Sequence, residues 1–226
     1  MIRGLLVGLF VGLAAANASA QTLVDEGSFT VTVAGARAGR ETFVIRRSRG
    51  TTESAGYLAS GTALYADRRL APVLTTDSAG MPTSYSMTLR AGTTRAALVS
   101  AQWVRGHFLV RMQTPTGESA HELALPATTV LLDDDVFYQY YFLALEAQAG
   151  AVSILDPRRG TQDSALVQRV ADDRVLVGNR ALDAERWHVT VAGDGDRDVW
   201  VDSVGRVLKV EIPGRKVIAV RDEPPH

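Results

Sequence analysis

Asp194, Asp196 and Asp198 stand two residues apart, the spacing with which a calcium loop begins, because alternate carboxylates of a tight loop point at one centre. The pattern then stops. Val199 stands where the loop needs Gly, and Gly205 where it needs a bidentate Glu. A hairpin loop, Gly193-Asp194-Gly195-Asp196, is the favoured reading. The 4 histidines, His107, His121, His188 and His226, include no pair at i,i+2 or i,i+4, and the chain has 0 Cys. Thiol chemistry is therefore excluded, and no His/Cys pairing points to zinc. No Gly-x-Ser-x-Gly elbow and no Ser-x-x-Lys occurs, the motifs that expose an activated serine. Glu41, Glu122, Asp202 and Glu211 fall on expected strands and could pair across them as general acid and base. Outward-facing, solvated carboxylates are the favoured reading. Asp156-Pro157-Arg158-Arg159-Gly160 reads as a turn presenting two exposed cations. No catalytic residue, metal or cofactor is assigned, and a non-enzyme is favoured over an enzyme.

The elements that would position these groups are strands. In Ser28–Val33, Phe29, Val31 and Val33 alternate with Ser28, Thr30 and Thr32, the period of two of a half-buried strand. Gly35 and Gly39 bracket a turn, and Glu41–Arg46 returns with Phe43 and Ile45 on one face. Thr83–Arg90 alternates after the turn residues 77–82. Arg95–Val104 and His107–Gln113 are joined by Arg105-Gly106, and Pro115-Thr116-Gly117 leads into Glu118–Leu125. Further strands are expected at Val152–Leu155, Ala165–Val170, Arg174–Val177, Glu185–Val191, Asp198–Asp202, Arg206–Ile212 and Lys216–Arg221. Short strands at regular spacing predict an all-β fold, a curved antiparallel sheet or unclosed β-barrel, with one inserted helix.

That helix is expected over Val136–Gln148. Asp133-Asp134-Asp135 precedes it as N-cap and complement to the macrodipole, and Gly150 stops it. It carries Phe137, Tyr138, Tyr140, Tyr141 and Phe142. Aromatics around most of its circumference require it to plug, cross or cap the sheet.

Residues 1–20 combine Met1–Arg3, an apolar run Gly4–Ala15 and the small-residue site Ala18-Ser19-Ala20. They read as a secretory signal peptide, with Gln21 as the mature N-terminus. No lipobox Cys follows, so a periplasmic or secreted protein without a lipid anchor is expected. One β-rich domain over 21–226 follows, with 222–226 as a disordered tail. About 200 residues suffice for a core of this class. The formal net charge is −1 and no basic block stands out, which excludes nucleic acid as the expected partner. An integral outer-membrane barrel is disfavoured by strands shorter than a membrane crossing and by the ending Pro224-Pro225-His226.

The segment Val199-Trp200-Val201-Asp202-Ser203-Val204-Gly205-Arg206-Val207-Leu208-Lys209-Val210-Glu211-Ile212 resembles the C-terminal part of exported lipoprotein-carrier-like proteins. These are the periplasmic lipoprotein chaperone, its outer-membrane receptor and related envelope domains of unknown function. The resemblance implies an unclosed antiparallel barrel whose hollow apolar face is covered by helices. It also implies binding of acyl chains or another apolar group without catalysis.

The resulting expectation is an exported protein holding an apolar ligand or lipid between the concave sheet face and the aromatic helix. The alternation pattern nominates Tyr85, Met87, Trp103, Phe108, Met112, Tyr138, Tyr141, Phe142, Trp187 and Trp200 as cavity lining. Two alternatives are carried: an envelope interaction module with a filled core and a protein partner, and a hydrolase with a cross-strand carboxylate pair.

Overall fold

The computed structural model describes residues 21–48, 55–146 and 150–226; the expected signal peptide lies outside the described residues. Alternation of side chains drives the architecture, since each strand presents one apolar row and can bury it only by curling with its neighbours. β1 (Gln21–Val33), β2 (Ala36–Ser48), β3 (Gly56–Tyr65), β4 (Arg68–Asp77), β5 (Pro82–Ala91), β6 (Thr94–Val104), β7 (His107–Thr114) and β8 (Gly117–Ala124) form one antiparallel meander. After the short β9 (Thr129–Leu131) and the helix α1 (Tyr140–Glu146), a second meander follows. It comprises β10 (Ala151–Asp156), β11 (Thr161–Val177), β12 (Arg180–Val191), β13 (Gly195–Val201), β14 (Val207–Ile212) and β15 (Val217–Arg221).

The two meanders join at the chain's ends. β1 pairs β15 antiparallel, with Phe29 opposite Arg221 and Val33 opposite Val217. All strands among the described residues thereby form one 15-stranded sheet whose outer members are β8 and β9. The sheet is curved and unclosed, as its alternating strands predict. β9 pairs β10 in parallel, the one parallel ladder of the sheet as described.

Ala34-Gly35 (φ 50° and 81°) and Arg105-Gly106 (φ 51° and 90°) make two-residue hairpin turns with both residues at positive φ, which match the right-handed strand twist. The expected strands 165–170 and 174–177 are one strand, β11, bent at a bulge where Arg169 and Ala171 meet consecutive partners on β12. β3 and β4 carry no clear alternation and emerge only in the structure. β3 is rich in Ala, Ser and Gly, and β4 contains Pro72. The β3–β4 ladder skips from Ser60↔Val73 to Ala63↔Leu70, so the proline falls where no ladder donor is required.

The helix is shorter than its composition predicts. Residues 136–139 form successive turns instead, in which Tyr140, Tyr141 and Phe142 donate to the carbonyls of Phe137, Tyr138 and Gln139. Asp133-Asp134-Asp135 does not cap it. Asp135 sits at φ 64°, and no acidic residue occupies the first turn of α1. Residues 147–149 lie outside the described residues. Asp222, expected at the head of a loose tail, is fixed by Ser28 Oγ (2.6 Å), Thr30 Oγ1 (2.6 Å) and Arg40 Nε (2.8 Å).

Candidate functional site: the barrel interior and its aromatic plug

Residues 133–146 lie against the concave face of the sheet. Val136, Phe137, Tyr138, Tyr140, Tyr141, Phe142 and Leu143 are all buried. They join one cluster with Phe29, Phe43, Tyr57, Tyr85, Met87 and Phe108 from the strands. Phe43 stacks on Phe29 at 5.3 Å and on Tyr138 at 6.0 Å, and Tyr57 meets Phe142 edge-on at 5.8 Å. Aromatic pairs in these geometries add to area burial.

Two buried carboxylates carry the plug. Glu41 of β2 accepts the backbone N–H of Phe137 (Oε2, 2.6 Å) and of Tyr138 (Oε1, 2.8 Å). It is fully buried, and burial pushes its pKa up to about 8, against the opposing pull of the two N–H donors. Outward orientation, the favoured reading for this acid, is therefore wrong for Glu41. Its position on β2, two residues before Phe43 and four before Ile45, puts it in the inward row. Asp133 accepts from the Tyr85 hydroxyl and from Arg158 Nε. Burial raises its pKa to about 7 while Arg158 draws it down. Tyr85, buried beside this carboxylate, is pushed well above its ordinary value.

The neighbouring acids complete a charged knot. Asp134 accepts from Arg159 Nη2 (2.7 Å) and Arg215 Nη1 (2.6 Å); Asp135 accepts from Arg68 Nη2 (2.9 Å) and Arg215 Nη2 (3.2 Å). Of the two cations of the 156–160 turn, Arg158 is half-buried against Asp133, whereas Arg159 stays exposed as expected while pairing with Asp134. The knot connects β4, β5, the β10–β11 turn and the β14–β15 connection through the three acids that precede the plug.

The nominated cavity residues divide three ways. Tyr85, Met87, Phe108, Tyr138, Tyr141 and Phe142 are buried in the main cluster, and Trp103, Met112 and Trp187 pack at its margin. Trp200 points away from Val199 and Val201 into a second cluster with Val175, Val177, Ala184 and Leu208. Its ring lies between Lys209 Nζ (4.1 Å from the centroid) and the Arg186 guanidinium (5.3 Å), and its Nε1 donates to Asp173 (2.8 Å).

The interior is packed. The hollow between α1 and Val167, Trp187, Val189, Val199 and Val201 measures ≈ 10 Å³, about the room for one water. A large concavity lies elsewhere, on the outer face of β5–β8. It measures ≈ 720 Å³ and is lined by Ser84, Ser100, Gln102, Val104, Leu109, Arg111, Ala120 and Glu122 among others. Beside it runs the free edge of β8, whose Gly117–Ala124 pair only with β7 among the described residues. At His121 this edge leans on Gly160: a Cβ there would come within 2.5 Å of the imidazole.

The acids considered for catalysis are held apart. Glu122 faces His107 (3.4 Å), Glu211 faces Lys209 (2.8 Å) and Asp202 holds Arg206 (2.8 Å). Glu41 is spent on the plug. The Asp194–Asp198 run is likewise divided: Asp194 engages Arg159 and Arg197, and Asp198 engages Arg186 and His188.

A further buried pair escaped the sequence reading. Arg221 donates to both oxygens of Asp25, through Nη1 at 3.0 Å and Nη2 at 2.7 Å. Its guanidinium lies 5.3 Å from the Phe43 centroid. Row parity on β15, with Val217 and Ala219 buried before it, was the available signal.

Comparison with known proteins gives a fold without an activity. No family model matches the chain, and no curated protein matches it. Among solved structures, the chain is similar to a β-barrel-like protein of the domain of unknown function DUF1849 from Brucella abortus. The two share 13% identity at a TM-score of 0.57, over 90% of this chain and 98% of that one. A DUF1089 family protein from Pseudomonas aeruginosa, at 13% identity, aligns over 93% of this chain and 97% of that one with a TM-score of 0.38. The first likeness shows a β-barrel-like fold. A relationship to lipoprotein carriers is not shown.

Proposed function

We propose that this protein is an exported, non-catalytic envelope module that keeps its interior filled and engages a protein partner by strand addition at β8. The observation that supports it is the pairing of a packed core with an open edge. The aromatic plug occupies the concave face, while alternate residues of β8 present unpaired backbone groups beside the outer concavity. Main-chain hydrogen bonds would supply affinity, and the outward Ala120 and Glu122 of β8 would flank alternate side chains of the incoming strand. The outward row of β2 (Arg40, Thr42, Val44, Arg46) is mainly polar and unlike a lipid-facing band. Among the described residues no helix is long and apolar enough to cross a membrane.

The chain has no cysteine, so one introduced at Ala124 is a unique attachment point for a photo-crosslinker. Crosslinking in intact cells is expected to capture a discrete protein from Ala124→Cys and none from Val73→Cys on an outer row far from the edge. Equal capture from both sites would overturn the reading.

The position of the aromatic plug on the concave face supports a second reading, an acyl chain or similar apolar ligand held between sheet and plug. Burial of a chain gives about 0.8 kcal/mol per CH₂, but the rings of Tyr138, Tyr141 and Phe142 would first have to leave. Native mass spectrometry of the purified protein, together with fatty-acid displacement of an apolar dye, separates the readings. Bound lipid favours the second, and bare protein without displacement favours the first.

A further inference from the structure

Glu41 is a buried carboxylate without a cation. Both its oxygens are taken by the amides of Phe137 and Tyr138, and no ion pair reaches it among the described residues. The elements packed on it are β1 through Phe29, β3 through Ala63, and the plug. The titratable groups facing it are Tyr65 on β3 and Tyr138 in the plug. Both are neutral at ordinary pH and cannot compensate a charge. Behind them stand Asp133, Asp135, Arg68 and Arg158, already engaged with one another.

A carboxylate ionised in such a place must gain water or pay the cost of isolation. Water cannot come through the sheet, because β2 is laddered to β1 from Val33 to Gln21 and to β3 from Gly39 to Ser48. The plug stands outside those ladders and is tied to Glu41 by two hydrogen bonds. Its N-terminal anchor is separate: the arginine knot grips Asp133, Asp134 and Asp135, immediately before the part Glu41 holds.

We propose that residues 136–146 form a lid hinged at the Asp133–Asp135 knot and held down from inside by Glu41, and that deprotonation of this one carboxyl loosens it. Lifting the lid admits water to Glu41 and bares the apolar concave face. The proposal is independent of the β8 partner: it concerns the other face of the sheet and would hold with or without strand addition.

Hydrogen exchange by NMR tests it, with rates corrected for the intrinsic effect of pH. Between pH 5 and 8 the protection of the Phe137 and Tyr138 amides is expected to fall about tenfold per pH unit, the slope for one coupled proton, and to level off above the raised value of about 8, while the β2 amides of Phe43 and Ile45 keep theirs. In Glu41→Gln the slope should vanish. Fluorescence of an apolar dye should rise over the same range in the unsubstituted protein. Flat protection, an equal slope in Glu41→Gln, or simultaneous loss at Phe43 and Ile45 would each overturn the proposal. Should Glu41→Gln fail to fold, the carboxyl carbon of Glu41 can be titrated in the unsubstituted protein. A midpoint near 8, at which the fall in protection levels off, supports the lid, and a midpoint near the ordinary glutamate value overturns it.

Discussion

Gly61 lies against the face of Tyr138, so closely that a methyl group on its Cα would stand 2.9 Å from Cε1 of the ring and 2.9 Å from the Thr42 carbonyl oxygen. The absent side chain of β3 is what lets the plug ring reach the sheet. Gly61→Ala is expected to destabilise the fold by about 1–3 kcal/mol, the usual cost of overpacking a filled core. Urea unfolding followed by circular dichroism measures it. Adding Tyr138→Leu should recover part of the loss, since the clash is with the ring; no recovery would place the strain at Thr42 instead.

Removing one member of the Arg221–Asp25 pair should cost more than removing both. Asp25→Ala leaves a guanidinium 1% exposed without its carboxylate, and about 3–5 kcal/mol is expected. The double variant Asp25→Leu, Arg221→Met replaces charge with apolar volume and should be milder than Asp25→Ala. A double-mutant cycle in urea reads the coupling.

Stability should decline as pH rises from about 4.5 to 8. Asp133 and Glu41 have folded-state pKa values of about 7 and about 8, above their ordinary values of 3.8 and 4.5. Their contribution is therefore complete below the ordinary values and is lost as pH climbs through 7 and 8. Asp222 acts at the other end. Ser28, Thr30 and Arg40 lower its pKa against the effect of burial, so its contribution is lost as pH falls below the ordinary aspartate value. Thermal unfolding across pH 3–9 should show a maximum in mildly acid solution, and Asp133→Asn should flatten the alkaline limb. A maximum that moves to pH 9 would contradict both assignments.

Gly160 closes the seam under His121 at φ 64°. Gly160→Ala combines an unfavourable backbone conformation with a clash and should cost about 1–2 kcal/mol. It should also displace β8 locally, read as selective loss of amide protection over residues 117–124. Uniform loss across the sheet would show that His121 does not anchor this edge.

Period-two alternation was enough to expose most strands and the aromatic insert, because each of those signals lies within a few neighbouring residues. Pro72 and the small residues of β3 hid two strands for the same reason: their place is set by partners, not by their own pattern. The site was less legible because its bonds are long-range. Glu41 meets Phe137 across 96 positions and Arg221 meets Asp25 across 196. Local logic made Asp133–Asp135 a helix cap, yet four arginines distant in sequence claim those carboxylates. Glu41 was readable in principle, since it shares a row with Phe43 and Ile45. The general surface preference of acids outweighed that parity. Trp200 shows the opposite failure, a large aromatic assigned inward although its strand neighbours Val199 and Val201 already occupied that row.

The pairing of β1 with β15 sets an order of events. On a chain made from its N-terminus onward, β1 emerges first and acquires β2 at once. Its other flank stays bare until residues 217–221 arrive, nearly two hundred positions later. Every earlier intermediate therefore offers a naked Phe29–Val33 strand to whatever strand it meets first. The last strand made is the keystone, and a chain truncated before Val217 should aggregate rather than assume a smaller version of the same barrel.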